Sequence, residues 1–94
     1  MLQLYQAEWC PYSRRVRRRL TELQLDFVAK QVPAAPEDRA AMRDATGEDE
    51  IPVLVLDDGT AIQGAPEILR HLHDAYEEGP EAEKHREQER EHER

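Results

Sequence analysis

The chain holds its only cysteine within Trp9-Cys10-Pro11-Tyr12-Ser13, between a short apolar run and a segment rich in arginine. Pro11 suits the first turn of a helix, where its missing N–H is not needed, so the pattern predicts a helix that begins beside the cysteine. A thiol at a helix N-terminus has its thiolate stabilised by free backbone N–H groups and by the positive end of the helix dipole. We therefore interpret Cys10 as a nucleophile, although a lone cysteine is more commonly a small buried apolar residue.

Ser13 occupies the position that the second cysteine holds in a CxxC dithiol. No disulfide can form within the chain, and redox chemistry must pass through a mixed disulfide with another molecule. Two interpretations of Ser13 stay open at this point. The residue either donates a hydrogen bond to the Cys10 thiolate and lowers its pKa, or only fills a helical position that a cysteine has left.

Composition and charge limit the classes of protein to consider. Ninety-four residues form one small domain. The formal net charge is −8, and residues 77–94 carry half of it, with 4 lysines and arginines against 8 acidic residues. No stretch approaches the ~20 apolar residues of a membrane-spanning helix, and no room for a signal peptide precedes the first strand. With its single unpaired cysteine, the chain is expected to be cytoplasmic and away from membranes.

Two periodic segments flank the cysteine and predict a β-α-β unit. Leu2–Gln6 alternates apolar and polar residues with the period of two that is typical of a strand. Phe27–Ala29 is a second strand candidate, and the intervening helix predicts a right-handed unit with parallel strands. The apolar residues of that helix recur at spacings of four, four and three, which predicts one inward face made of Tyr12, Val16, Leu20 and Leu23.

The second half of the chain predicts a helix, a β-hairpin and a last helix. Gly47 is typical of the position just past a helix end, and a continuous apolar run is typical of a buried strand. In chain order the predicted elements are a helix from Glu37 to about Ala45, a strand over Val53–Leu56, a turn at Asp57–Thr60, a return strand over Thr60–Gln63, and a helix from Ala65 or Pro66 to Tyr76. The complete order is β-α-β-α-β-β-α.

This order, the motif from Cys10 to Ser13 at the first strand–helix junction, and Ile51-Pro52 before the third strand resemble a glutaredoxin. They resemble equally the N-terminal thioredoxin-like domain of glutathione S-transferases. The resemblance covers residues 1–76 and implies a thioredoxin-like α/β fold, with a four-stranded mixed sheet flanked by helices. Residues 77–94 form a charged C-terminal tail, which is expected to be either an exposed extension of the last helix or disordered.

The resemblance implies a binding site for glutathione. In this fold the proline that matches Pro52 forms a cis peptide beside the active thiol, which leaves the backbone of Ile51 free to pair with the cysteinyl part of glutathione. The γ-glutamyl carboxylate is expected at the start of the last helix. Glu67 either accepts a hydrogen bond from the ligand ammonium or only favours the helix dipole. The segment concerned is Gln63, Gly64, Ala65, Pro66 and Glu67.

Several positions depart from the family pattern. Pro66 lacks the backbone N–H that glutaredoxins offer at this point. Gln63-Gly64 replaces the Glu-Ser pair that is typical of glutathione transferases. Ala7 stands where many glutaredoxins have a lysine, and the acidic Glu8 follows it. A compensating cation near the thiol is expected from one of two neighbouring residues, Arg14 or Arg15.

The sequence therefore predicts a monothiol glutaredoxin-like thiol–disulfide oxidoreductase with the catalytic motif Cys10, Pro11, Tyr12 and Ser13. Glutathionylated proteins or small disulfides are its expected substrates. Glutathione, or another low-molecular-weight thiol, is the expected co-substrate, and no tightly bound cofactor is predicted. The alternatives are a non-catalytic glutathione-binding or partner-docking module, a dimeric iron–sulfur cluster carrier, and a transferase acting on electrophiles. A monomer is expected, with a dimer as the alternative.

Two further patterns are interpreted as surface features. The arginines between Arg14 and Arg19 predict a solvated helix face, because a net charge of −8 repels a nucleic-acid backbone and no pattern of stacking aromatic residues accompanies them. His71 and His73 are separated by one residue and point to different sides of a helix. No metal site and no nucleic-acid partner are predicted.

Overall fold

A computed structural model describes residues 1–93 as a layered α/β domain. The predicted order of seven elements is confirmed, and an eighth element, a helix, follows it. The strands and α-helices are β1 (Leu2–Gln6), α1 (Pro11–Glu22), β2 (Phe27–Gln31), α2 (Ala40–Thr46), β3 (Val53–Val55), β4 (Ala61–Gln63), α3 (Ala65–Ala75) and α4 (Glu81–His92).

The four strands form one mixed sheet in the order β2-β1-β3-β4. β1 and β2 are parallel, as the predicted crossover requires, while β3 is antiparallel to both β1 and β4. Helices α1 and α3 contact each other, and their apolar faces share one core with β1 and β3. The fully buried members of that core are Leu4, Val16, Leu20, Leu54, Ile68 and Leu72. The predicted four-stranded thioredoxin-like sheet is confirmed.

The inward face of α1 differs from the predicted one at its first turn. Tyr12 is 57% exposed, so its predicted place in the core is wrong. The buried face runs through Ser13, Val16 and Leu20, whose spacings of three and four follow one side of a helix. Tyr12 lies one residue, or about 100°, away from Ser13 around the helix axis, and the fit of the later residues to the core decides its direction.

The helix predicted from Glu37 to Ala45 is divided in the structure. A 3₁₀ turn spans Pro36–Asp38, and α2 begins only at Ala40. Between them, Arg39 has a non-helical backbone conformation, with φ −92° and ψ 44°. The predicted end of the helix is confirmed, because Gly47 takes the left-handed conformation, φ +78°, that glycine adopts readily.

Arg39 is 3% exposed, which is unusual for an arginine. Its Nε donates to the carbonyl of Pro33 at 2.9 Å, Nη2 to that of Ala34 at 2.9 Å, and Nη1 to that of Asp49 at 2.8 Å. A buried guanidinium needs such partners, since an unsatisfied charge in the interior is costly. Arg39 therefore ties the loop before α2 to the loop before β3, and this explains the break in the helix.

The charged C-terminal segment forms a separate helix. α4 neither extends α3, from which residues 76–80 separate it, nor lies outside the packed structure. It packs on α1 and buries Ala82 completely. Glu89 lies 2.9 Å from the Nε of Arg18 on α1, and Arg86 lies 3.4 Å from Glu22. Burial of Ala82 and ion pairs with the arginine-rich helix attach a segment with almost no apolar residues. Of the predicted 77–94 tail, only the last residue lies outside the described chain.

Among the helices of residues 1–93, none is both long enough and apolar enough to cross a membrane.

Candidate functional site

The register of the sheet brings the predicted site segments to one edge. Tyr5 pairs with Val53, and Val53 pairs with Gln63. One residue further along, the backbone N–H of Gly64 donates to the carbonyl of Pro52 at 2.9 Å. The end of β1, the start of β3 and the end of β4 therefore lie side by side, and the cysteine loop leaves the sheet at this same edge.

Ile51 and Pro52 are joined by a cis peptide bond, as the sequence predicted. Pro52 is fully buried, whereas Ile51 is partly exposed. Within residues 1–93 the backbone N–H and C=O of Ile51 make no hydrogen bond to another backbone group. This segment thus presents an unpaired donor and acceptor beside the edge strand, which is the arrangement that an extended peptide backbone can pair with.

Cys10 is the N-cap residue of α1, with an extended backbone conformation. Its Sγ accepts a hydrogen bond from the backbone N–H of Ser13 at 3.4 Å, and its own N–H donates to the carbonyl of Ala7 at 3.1 Å. The residue is only 4% exposed, while the neighbouring side chains of Trp9 and Tyr12 are 62% and 57% exposed. Cys10 is therefore a buried residue whose neighbours along the chain, Trp9 and Tyr12, present large aromatic side chains to solvent.

Burial raises the pKa of the Cys10 thiol, but opposing contacts outweigh it. Hydrogen bonds from the side chain and backbone of Ser13 and from the backbone of Tyr12, with the positive charge of Arg17, hold the pKa below its ordinary value. The contact of the Ser13 hydroxyl with the sulfur falls short of ordinary hydrogen-bond geometry, and this Oγ is the single buried side-chain N or O atom within residues 1–93 without any other partner. A thiolate at Cys10 accepts hydrogen bonds far better than a thiol does, so ionisation supplies the partner that this hydroxyl lacks.

The cation that acts on Cys10 is not one of the two expected from the sequence. Arg14 and Arg15 are both exposed, and Arg17 is the residue whose charge lowers the thiol pKa. Arg17 is held by Glu8, with 3.1 Å between Nη2 and Oε1. The acidic residue that departs from the family pattern therefore serves as the partner of the compensating cation.

Two glutamines complete the surroundings of Arg17. The side-chain oxygen of Gln6, which is 1% exposed, accepts a hydrogen bond from Arg17, and its amide nitrogen donates to Gln31 at 3.1 Å. Gln6 and Gln31 are register partners at the ends of β1 and β2. Sequence reasoning missed both glutamines and Arg17. The alternation of β1 could have indicated the burial of Gln6, because it places Gln6 on the same face of the strand as the buried Leu4.

The start of α3 forms the far side of the predicted ligand site. Gly64 has φ +92°, a conformation that favours glycine, and precedes Ala65, which is 2% exposed. Pro66 lies in the first turn and contributes no N–H. The carboxylate of Glu67 lies 3.4 Å from Arg70 on the next turn. This ion pair joins two exposed side chains and is compatible with both interpretations of Glu67.

Side chains suited to metal binding are dispersed over the described residues. No group of three or more His, Cys, Asp or Glu side chains within residues 1–93 is arranged to hold a metal ion. His71 is partly buried and His73 is exposed on α3, and neither joins such a group. The site consists of a thiol, backbone donors and one arginine.

A cysteine that caps α1 and a cis-proline that precedes β3, on a mixed sheet of this order, define a protein of the thioredoxin-like fold. Residues 4–81 match the family model described as the glutathione S-transferase N-terminal domain. The chain belongs to that family, which confirms the resemblance seen in the sequence. The match ends five residues beyond the predicted domain boundary at residue 76.

Solved structures agree with this assignment. A glutathione S-transferase from Rhodospirillum rubrum F11 is 32% identical with a TM-score of 0.70, over 81% of this chain and 34% of that chain. A glutathione S-transferase from Methylobacillus flagellatus, with glutathione bound, is 29% identical with a TM-score of 0.68, over 87% and 39% of the two chains. Glutaredoxin 2 from Salmonella typhimurium, in complex with glutathione, shares the fold at 18% identity, with a TM-score of 0.67 over 77% and 32%.

The chain is short beside these relatives, since it spans between about a third and two-fifths of their lengths. No curated protein matches it.

Proposed function

We propose that this protein is a monothiol thiol–disulfide oxidoreductase that uses glutathione, or a related low-molecular-weight thiol, and acts through Cys10. The observation that carries the proposal is the Cys10–Ser13 contact. The sulfur accepts the backbone N–H of Ser13 at 3.4 Å, beside a buried hydroxyl that has no other partner. This environment favours the thiolate, which is the reactive form in disulfide exchange.

The reaction consists of two exchanges that balance without a further redox cofactor. In the first, the Cys10 thiolate attacks the glutathionyl sulfur of a mixed disulfide, and the protein thiolate leaves and takes a proton from water. This step forms a disulfide between Cys10 and glutathione. In the second, a glutathione thiolate attacks the glutathione sulfur of that disulfide, so that oxidised glutathione forms and Cys10 leaves as a thiolate. The protein–glutathione disulfide is thereby exchanged for oxidised glutathione, so that one protein thiol is released and one molecule of reduced glutathione is consumed.

The shared edge of the sheet supports the proposed ligand positions. The free backbone groups of Ile51 are proposed to pair with the cysteinyl part of glutathione, on the side of the cis peptide bond to Pro52. Gln63, Gly64 and Ala65 lie next along the same edge and receive the γ-glutamyl end. The related structures from Methylobacillus flagellatus and Salmonella typhimurium contain bound glutathione, which supports this class of ligand. Glutathionylated proteins and small disulfides are the proposed substrates.

A second candidate function is glutathione binding without turnover. Pro66 removes one backbone donor at the start of α3, and Glu67 already has Arg70 as its partner. Both features weaken the anchor for the γ-glutamyl group. If they dominate, the protein binds glutathione but does not turn over its mixed disulfides.

Turnover of a glutathionylated peptide, measured with glutathione and a coupled reductase, tests the proposal. Wild type is expected to be active and Cys10→Ser inactive. Ser13→Ala is expected to lose several-fold in rate at pH 7, because the thiol pKa rises and less thiolate is present. Thr21→Ala is the matched control, since it removes a hydroxyl from the exposed side of the same helix. Cysteine and coenzyme A in place of glutathione identify which thiol is used.

The alternatives give different results in the same preparation. Binding of glutathione by calorimetry without turnover supports the binding module, and absence of both overturns the glutathione proposal. A brown colour in anaerobically purified protein supports an iron–sulfur carrier. Conjugation of glutathione to chlorodinitrobenzene without disulfide turnover supports a transferase.

A further inference from the structure

A groove with a volume of about 330 Å³ runs between α1 and α4. The packing of α4 against the arginine-rich helix forms it. Its volume lies at the lower end of the range for small-molecule sites. The groove is therefore large enough for a compact ligand and too narrow for a folded partner.

Cations dominate the lining of the groove. Four arginines line it, against two glutamates, and both carboxylates are already engaged. Glu22 lies 2.8 Å from Arg19 and 3.4 Å from Arg86. Glu89 accepts from the Nε of Arg18 at 2.9 Å. The lining arginines are Arg14, Arg17, Arg18 and Arg86.

Several donors in the groove have no partner among residues 1–93. Arg14 makes no side-chain hydrogen bond or ion pair in this part of the chain. Arg18 uses only its Nε, so both terminal nitrogens are free. The hydroxyl of Thr21 has no hydrogen bond either. These three residues follow the spacing i, i+4, i+7, which places them in one row along α1.

We propose that this groove binds a small phosphate-bearing molecule, held by Arg14 and Arg18 with Thr21 as a third donor. A planar guanidinium forms paired hydrogen bonds to phosphate oxygens, and a hydroxyl donates to a third oxygen at an angle to them. The tetrahedral phosphate accepts from these different directions, whereas a planar carboxylate offers only two oxygens. This proposal is independent of the redox chemistry at Cys10.

A phosphate-bearing polymer fits the groove less well than a small molecule. The net charge of −8 repels an extended polyanion at long range. The groove is also bounded by α4, whose sequence is rich in glutamate. The side chains of Arg14 and Arg18 are themselves accessible from solvent, so the net charge and the neighbouring glutamates, rather than the width of the groove, disfavour a polymer.

The test is an NMR titration of the ¹⁵N-labelled protein with inorganic pyrophosphate at constant ionic strength. Shifts confined to α1 and α4, with a dissociation constant below about 1 mM, are expected. Arg14→Gln and Arg18→Gln are each expected to weaken binding by about tenfold, since each removes charged donors to the ligand. Arg15→Gln is the matched control, because it removes the same charge from an exposed position on the same helix that does not line the groove. It is expected to change the affinity less than twofold.

Three results would overturn the proposal. The first is an absence of shifts at α1 and α4 in wild type while the spectrum shows an intact fold. The second is an equal loss of affinity in Arg15→Gln and Arg14→Gln, which would show that overall charge rather than the groove attracts the anion. The third is binding of citrate at the same residues without binding of pyrophosphate, which would assign the groove to carboxylates.

Discussion

The guanidinium of Arg17 lies 3.1 Å from the carboxylate of Glu8, and the same guanidinium lowers the pKa of Cys10. Glu8 has a side chain that is 82% exposed, whereas that of Arg17 is 19% exposed. The acid therefore holds the arginine in place from the solvent side. It also opposes part of the positive potential that the arginine creates at the thiol.

The first prediction concerns the two members of this pair. Arg17→Gln is expected to raise the pKa of Cys10, because it removes a stabilising positive charge. Glu8→Gln is expected to lower it, because Arg17 then acts without an opposing charge. Rates of iodoacetamide alkylation measured across a pH series report the pKa directly. Arg15→Gln serves as the control for net charge. A rise in Arg15→Gln as large as that in Arg17→Gln would contradict a specific role for the pair.

The second prediction links the thiol to the pH dependence of folding. The pKa of Cys10 lies below its ordinary value of 9.0 in the folded protein. Between the two pKa values the unfolded chain binds more protons, so the free energy of unfolding increases with pH. The contribution of the Cys10 thiolate to the free energy of unfolding is complete above the ordinary pKa of 9.0, and it is lost as pH falls through the pKa of the folded protein. Urea unfolding of wild type and Cys10→Ser at several pH values measures this contribution.

The difference in unfolding free energy between wild type and Cys10→Ser is expected to grow in favour of wild type as pH rises toward 9.0. A difference that stays constant across this range would show that the thiol pKa is the same in the folded and unfolded chains. Glutathione-free buffer with a phosphine reductant keeps the thiol reduced throughout.

The third prediction concerns the buried arginine before β3. Arg39→Met is expected to reduce the free energy of unfolding by about 2–4 kcal/mol, because it leaves three carbonyls without their charged donor. Arg43→Met is the matched control. Arg43 also donates to backbone carbonyls, but its side chain is 38% exposed, so a loss of at most about 1 kcal/mol is expected. Equal losses in thermal or urea unfolding would contradict the assigned role of Arg39.

The fourth prediction concerns the attachment of α4. Ala82 is fully buried, so Ala82→Glu is expected to release α4 by placing a charge in the interface with α1. Hydrogen exchange at residues 81–92 then increases by about tenfold or more, while exchange in β1 and β3 is unchanged. Ala75→Glu introduces the same charge at an exposed position on α3 and is expected to leave α4 protected.

Salt provides an independent measurement of the same attachment. The contacts of Arg18 with Glu89 and of Arg86 with Glu22 are expected to weaken when the ionic strength rises from about 0.05 to about 0.5 M, because partly exposed ion pairs are screened. Exchange protection of α4 should fall over this range. Protection that is insensitive to salt would show that apolar burial at Ala82 alone holds the helix.

The local pattern of the sequence was sufficient to predict the central architecture. Period-two alternation located β1, spacings of three and four located α1, and the glycine at position 47 located the end of α2. The motif from Cys10 to Ser13 and Ile51-Pro52 carried the family resemblance and pointed to the edge of the sheet where the candidate site is proposed. These features depend on local backbone conformation and on residues that are close together in the chain, so a short stretch of sequence is enough to predict them.

Tertiary structure alone decided which side chains act together. The cation near the thiol was expected at Arg14 or Arg15, and packing of α1 on the sheet selected Arg17, which reaches Gln6 on β1 and Glu8 in the following loop. The break at Arg39 depends on carbonyls six residues before it and ten residues after it. The order of α4 depends on ion pairs between residues more than sixty positions apart. Charge and hydrogen-bond partners of this kind are set by distance in space, which local periodicity does not encode.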